Sequence, residues 1–295
     1  MRITDNMQLN DALASQASAS SQMYGLTAEA SSGLKINQPS DDPAGYATVS
    51  SLNAQISTLQ ARSSAVTAVA GDLNLANGAL SSAAALLVQA QQIAVEASDG
   101  SQSASTRANS ATQVNQIAQQ MIGLANTQGA NGYLFGGTNT STPPFDANGN
   151  FSGNAGVTQV EIANGVTVQS NASGADAFTA AGGRNVIADL QNLATALSSN
   201  DVATIQSSVG NLTADNSQVV DAQVNVGVSA GTLQSSSEVM ATALTTAQTS
   251  LANEQDADAP TVYSELTQVQ TSYESAISVN RQILSMFQTE QQQLG

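Results

Sequence analysis

Leu52, Leu59, Val66, Leu73, Leu80 and Leu87 stand at every seventh position without a miss. That period belongs to a helix with a narrow apolar stripe, and no strand can satisfy it. Val49, Ile56, Ala70 and Ala84 fill intermediate seam positions, while Ser63, Asn77 and Gln91 interrupt them with polar groups, as in seams where register matters more than bulk stability. If residues 44–98 are one helix, it is roughly 80 Å long. Such a helix cannot bury its stripe alone, so the rest of the chain must supply partners.

Asp99-Gly100 breaks the pattern, and Ser105 or Thr106 can cap a second helix through Ala111, Val114, Ile117, Met121 and Leu124, ending near Gly129. The short turn between them implies an antiparallel hairpin. Further on, Ile187, Leu190, Leu193, Ala194 and Leu197 form a stripe, followed by Val226, Leu233, Met240, Leu244 and Leu251. Tyr263, Leu266, Tyr273, Ile277, Leu284, Phe287 and Leu294 continue it beyond Pro260, which separates two helices. Gly227 and Gly231 allow a neighbouring helix to approach closely, or simply weaken a helix held by its packing. At the other end Ile3, Met7, Leu13 and Ala17 mark a weaker amphipathic helix. Both ends are helical and able to pair, and rich enough in Ser and Gln to lose order in the free chain.

Between 139 and 185 the helical period stops. TNTSTPPFDANGNFSGN is loop-like, and in VTQVEIANGVTVQS Val160 and Ile162 alternate against Val166 and Val168 around Asn164-Gly165, a hairpin signal. The fold class is therefore mainly α: long antiparallel helices with coiled-coil-like seams formed by the N- and C-terminal parts, plus a small inserted β-rich domain. The divisions expected are 1–43 with 260–295 as a terminal helical layer, 44–138 with 186–259 as a long-helix bundle, and 139–185 as the outer domain.

Aromatic residues make up only 3% and charged residues 9%, which favours thin seams between helices over a thick core. A net charge of −16 repels phosphate, so neither nucleic acid nor an anionic membrane surface is an expected partner. With no His and no Cys, chemistry is left to carboxylates, hydroxyls and the single Lys35. No secretory signal core precedes the first helix, and no unbroken apolar run approaches the ~18 residues of a membrane span.

Several chemical motifs fail on inspection. Ser32-Gly33-Leu34-Lys35 fits S-x-x-K, but neither S-D-N nor K-T-G completes it, and a helix-ending Gly33 is the better reading. Asp146, Asn148 and Asn150 imitate the start of a calcium loop, yet the glycine is misplaced and Val157 stands where a bidentate Glu belongs. Asp256 and Asp258 precede the last helix, where carboxylates favour its positive end. Asp41 and Asp42, between Pro39 and Pro43, read the same way: Asp42 is the N-cap, Pro43 the first helical residue, and Asn37, Asp41 and Gly45 complete the loop. No catalytic, metal or cofactor site is expected.

The stretch SSGLKINQPSDDPAGYATVSSL resembles the flagellin family, in which a helix ending S-G-x-x-I-N leads through D-D-x-A-G into the longest helix. The proline of SDDP and ANGYLFGGTNTSTPPFD at 130–146 resemble the junction subfamily more than filament subunits, and LANEQDADAP is similar to an acidic segment common to both. The polar ending TEQQQLG departs from the family's usual finish.

The resemblance implies a non-enzymatic structural subunit, exported unfolded through the flagellar type III apparatus with the help of a chaperone. It would assemble in a ring of its own copies between hook-associated protein 1 and flagellin at the hook–filament junction. Ile3, Met7, Leu13, Tyr273, Ile277, Leu284 and Phe287 would pack the inner layer. The loop from Pro39 to Gly45 would be an elbow between inner and middle layers. A minor flagellin is the nearest rival. An exported enzyme on the same scaffold, or a free coiled-coil adhesin, is further off.

Overall fold

The computed structural model describes residues 2–179 and 184–293 of the 295. Seven helices appear among them: α1 (Arg2–Ser32), α2 (Pro43–Ala97), α3 (Ala104–Ala125), α4 (Gly174–Phe178), α5 (Val186–Ser198), α6 (Val202–Gln255) and α7 (Ala259–Gln293). Two antiparallel two-stranded ribbons lie between α3 and α4: β1 (Gln128–Gly129) with β2 (Gly132–Tyr133), and β3 (Gln159–Ala163) with β4 (Val166–Gln169). The fold is mainly α with a small β-containing insert, as the periodicity predicts.

The chain forms two compact units, residues 1–58 with 244–295, and 59–243. It passes from one unit to the other inside α2 and α6, and not at 43/44 and 259/260 as the sequence predicts. Helices 54 and 55 residues long outlast any single local core, so each serves both units.

In the unit spanning 59–243 the heptad residues Val66, Leu73, Leu80 and Leu87 are fully or almost fully buried, and Leu59 packs at the edge. The buried face is broader than the leucine row, because Ala76, Ala83, Ala90, Ala94 and Ala97 are buried beside it. Small side chains there let other elements approach α2 closely. The same cluster takes Val114, Ile117 and Met121 from α3, Leu190, Leu193 and Leu197 from α5, and Leu212, Val219 and Leu233 from α6. Gln91, one of the polar seam residues, donates to Thr213 Oγ1 at 2.8 Å and ties α2 to α6. Gly227 and Gly231 meet nothing within 4 Å on the side a methyl group would occupy, so no chain segment uses them for close approach here.

The most apolar window of α2 averages a hydropathy of 1.3, enough for a membrane span by length and composition alone. That exceeds the expectation drawn from unbroken runs, because alanines and valines on several faces raise the mean. One third of that window is buried within the protein.

Two local differences stand out. The helix after Asp99-Gly100 is capped by Ser103, whose hydroxyl accepts the Thr106 amide, and ends at Ala125, four residues before Gly129. Gly129 instead enters β1, where Ala130 N–H donates to the buried Asp72 carboxylate at 2.8 Å. Arg107, which sequence reading passed over, is buried and donates to the Ala97 carbonyl, the Asp99 carbonyl and Asn200 Oδ1. It satisfies carbonyls that the end of α2 would otherwise leave unpaired.

The stretch 139–185 is not a compact unit of its own. Phe145 and Phe178 sit in the same apolar cluster as α2 and α5, and edge-to-face ring contacts link Phe178 to Phe135 at 5.3 Å and to Phe145 at 5.7 Å. Asn126, just beyond α3, clamps the Phe145 backbone from both sides, donating to its carbonyl and accepting its amide. The hairpin turns at Asn164-Gly165, with Gly165 at a φ of +73°, and Val160, Ile162 and Val168 face the core.

Candidate assembly site at the elbow and terminal helices

The unit formed by residues 1–58 and 244–295 holds the elbow. Helix α1 stops at Ser32 because Gly33 takes the left-handed conformation, φ +73°, with its amide on the Glu29 carbonyl. The Ser32 hydroxyl then accepts from the Leu34 amide and from Asn37 Nδ2. Lys35 reaches elsewhere, donating through Nζ to the Asn253 carbonyl at 3.3 Å. The S-x-x-K pattern is thus a helix stop followed by a loop.

The adjacent carboxylates serve opposite ends of one loop. Asp41 looks back: its Oδ2 accepts the amides of Asn37 and Gln38, each at 3.0 Å, and Oδ1 accepts Gln38 Nε2. These bonds, the Asn37 and Gln38 amides first, hold its pKa below the ordinary carboxylate range. The Asp41 amide closes a turn onto the Gln38 carbonyl, with Pro39 at the corner its ring favours. Asp42 looks forward, accepting the Ala44 amide through Oδ1 at 3.0 Å, and Pro43 opens α2 as expected. Gly45 is buried, and a methyl group there would meet Ile36 Cδ1 and Asp42 Oδ2 at 2.5 Å.

The elbow is fastened to the turn between α6 and α7, a contact the sequence did not reveal. Lys35 N–H donates to the Gln255 carbonyl at 2.8 Å, Ala257 N–H to the Gly33 carbonyl at 2.9 Å, and Leu34 bridges Asp256 in antiparallel fashion. Gln255 Nε2 adds a bond to the Ile36 carbonyl. Asp258 starts α7 through its carbonyl on the Val262 amide, and Pro260 lies in the first turn of α7 instead of separating the helices. Two loops more than two hundred residues apart are thereby zipped by backbone bonds.

Helices α1 and α7 pair within the single chain. Their seam follows alternating three and four spacing on both sides. Leu9, Ala12, Gln16, Ala19, Met23, Leu26 and Ala30 are shielded on α1, and Val262, Leu266, Val269, Tyr273, Ala276, Asn280 and Ile283 on α7. Asn280 is 6% exposed and donates to Gln16 Oε1 at 2.6 Å. A polar pair inside such a seam fixes register.

Only part of the predicted packing set falls in this seam. Tyr273 lies in it and Ile277 is half-buried beside it, but Met7, Leu13 and Leu284 are exposed at 64%, 50% and 48%. The side chains of Ile3 and Phe287 lie outside the described residues. The α1 side of the seam combines Leu9, Met23 and Leu26 with the smaller or polar Ala12, Gln16, Ala19 and Ala30. Exposed beside Met7 and Leu13 on α1 is Tyr24, and α7 exposes Tyr263, Val279 and Met286 as well as Leu284. Each helix therefore carries apolar side chains that its partner leaves uncovered.

The other motif candidates resolve into turns. Asp146 spends Oδ1 on the Asn148 and Asn150 amides and Oδ2 on Asn150 Nδ2, so its own loop occupies it. Among the described residues, no group of three or more acidic side chains is placed to hold a metal ion.

Residues 3–140 match the family described as the bacterial flagellin N-terminal helical region. In fold the chain is similar to flagellar hook-associated proteins. One from Vibrio parahaemolyticus aligns with a TM-score of 0.67 at 21% identity, over 73% of this chain and 100% of its own. The hook-associated protein 3 of Legionella pneumophila gives 0.61 at 13%, over 70% and 98%. FlgL of Xanthomonas campestris gives 0.60 at 18%, over 68% and 98%. No curated protein matches the sequence. The helical region and the shared fold support a structural role in the bacterial flagellum.

Proposed function

We propose that this chain is an adaptor of the flagellum, a hook-associated protein 3 that joins the hook, through hook-associated protein 1, to the flagellin filament. The observation that carries the reading is the uncovered apolar set on α1 and α7. Met7, Leu13, Tyr24, Tyr263, Leu284 and Met286 remain in water after the two helices have paired. Burying each such side chain is worth about 1.5–3 kcal/mol, so a polymer in which neighbouring copies cover these faces gains stability at every contact. The resemblance of SDDP and of ANGYLFGGTNTSTPPFD to junction subunits supports the junction over the filament.

The chain would reach its place by flagellar type III export with a chaperone on the amphipathic C-terminal helix, a helix-in-groove mode of recognition. It then forms a ring with copies of itself. The zipper ties Gly33, Lys35 and Ile36 to the turn between α6 and α7 while the terminal helices engage neighbours. Immunogold labelling of intact flagella tests the reading. Label confined to the hook end of each filament agrees with an adaptor. Label along the whole filament means a minor flagellin, and label away from flagella rejects both.

A further inference from the structure

The geometry points to Asn164-Gly165 as a self-modifying site, in which the Asn164 amide is converted to a carboxylate by the chain's own backbone. Four Asn-Gly pairs occur, at Asn77, Asn131, Asn148 and Asn164. In such a pair the glycine amide nitrogen can attack the Asn side-chain carbonyl, because glycine offers no side chain to obstruct it. What distinguishes the hairpin tip is that groups suited to each part of that reaction are already in contact.

The Gly165 amide donates to Glu161 Oε1 at 3.2 Å, which places a carboxylate base on the proton that must leave. Arg62 Nη2 donates to Asn164 Oδ1 at 2.7 Å, which polarises the amide carbonyl and faces the negative charge that develops on that oxygen. The same nitrogen holds Glu161 at 3.0 Å, so one guanidinium positions both the base and the electrophile. Glu161 is 46% exposed, and Asn164 is also on the surface, open to water.

The step balances without an oxidant. Gly165 N gives its proton to Glu161 and bonds to Asn164 Cγ; the Cγ–Nδ2 bond breaks, and the nitrogen departs as ammonia with that proton. Water then opens the five-membered imide at either carbonyl, leaving aspartate or isoaspartate at 164. The product places a second carboxylate beside Arg62 and adds one negative charge to the hairpin tip.

The other pairs lack this set. Asn77 lies within α2, whose hydrogen-bond ladder engages the Gly78 amide. Asn131 commits Nδ2 to Asp72 at 3.0 Å, and the Gly149 amide is donated to the Asp146 carbonyl.

Peptide mapping of the folded full-length protein after prolonged incubation in heavy-oxygen water tests the proposal, since each conversion exchanges nitrogen for a labelled oxygen. Asn164 should convert at least about tenfold faster than Asn148, and faster than in the urea-unfolded chain, with Glu161→Gln and Arg62→Ala each removing the advantage. The order of the hairpin in both variants is followed by hydrogen exchange. The proposal is overturned if Asn164 converts no faster than Asn148, if unfolding speeds it up, or if either variant with an intact hairpin keeps the native rate.

Discussion

Asp41 and Asp42 show how two adjacent carboxylates acquire different tasks from the direction each side chain takes. Asp42→Ala removes the bond to the Ala44 amide at the start of α2 and should cost about 1 kcal/mol, read as a fall in the urea midpoint. Asp41→Ala should instead leave α2 intact and speed amide exchange at Asn37 and Gln38, whose N–H groups it holds. Because Asp41 is more acidic in the folded loop than its ordinary 3.8, its contribution is complete above that value and fades as the pH drops through the lowered one. Exchange at those two amides should therefore accelerate below the same point, and a flat acid profile would contradict the assignment.

Asp215 behaves with the opposite sign. Burial raises it from 3.8 to about 6, against the pull of Arg184, whose Nε donates to it at 2.8 Å. The folded state holds this proton more tightly than the unfolded one, so the contribution is complete below 3.8 and lost as the pH rises through about 6. Asp215→Asn should flatten the stability profile across that window and gain relative to the native chain at neutral pH. Arg184→Ala, which leaves the buried carboxylate unpaired, should destabilise at neutral pH.

At the scale of elements, the leucine heptad of α2 is the part of the fold most legible in sequence, because one repeated residue type marks one face. Leu80→Ala should cost about 2–5 kcal/mol, measured by chemical denaturation, since Leu80 is fully enclosed in the shared core. The α1–α7 seam was less legible. Its α1 side mixes Leu9, Met23 and Leu26 with Ala12, Gln16, Ala19 and Ala30, whereas Met7, Leu13 and Tyr24 are exposed. The spacing of three and four marks that face, but Ala and Gln at four of its seven positions weaken the apolar contrast. The zipper between Gly33–Lys35 and Gln255–Ala257 is carried by backbone groups, which no side-chain pattern encodes. The paired change Gln16→Leu with Asn280→Leu should raise the melting temperature by enlarging the apolar seam while loosening its register. A melting temperature lowered by the double change would mean that the polar pair stabilises the seam instead of selecting its alignment.

At the scale of the whole molecule, assembly turns on the apolar faces that the chain leaves uncovered. A net charge of −16 opposes self-association, so the exposed apolar faces of α1 and α7 must overcome repulsion between copies, and assembly should strengthen as salt screens it. Met7→Ser with Leu13→Ser and Tyr24→Ser should leave the monomer's helicity unchanged and abolish incorporation into flagella. Electron microscopy of a strain deleted for this gene, with flagellin assayed in the medium, tests the central claim most directly. An adaptor requires bare hooks on the cells and unpolymerised flagellin outside them. Filaments attached to the hook as in the parent strain would contradict it.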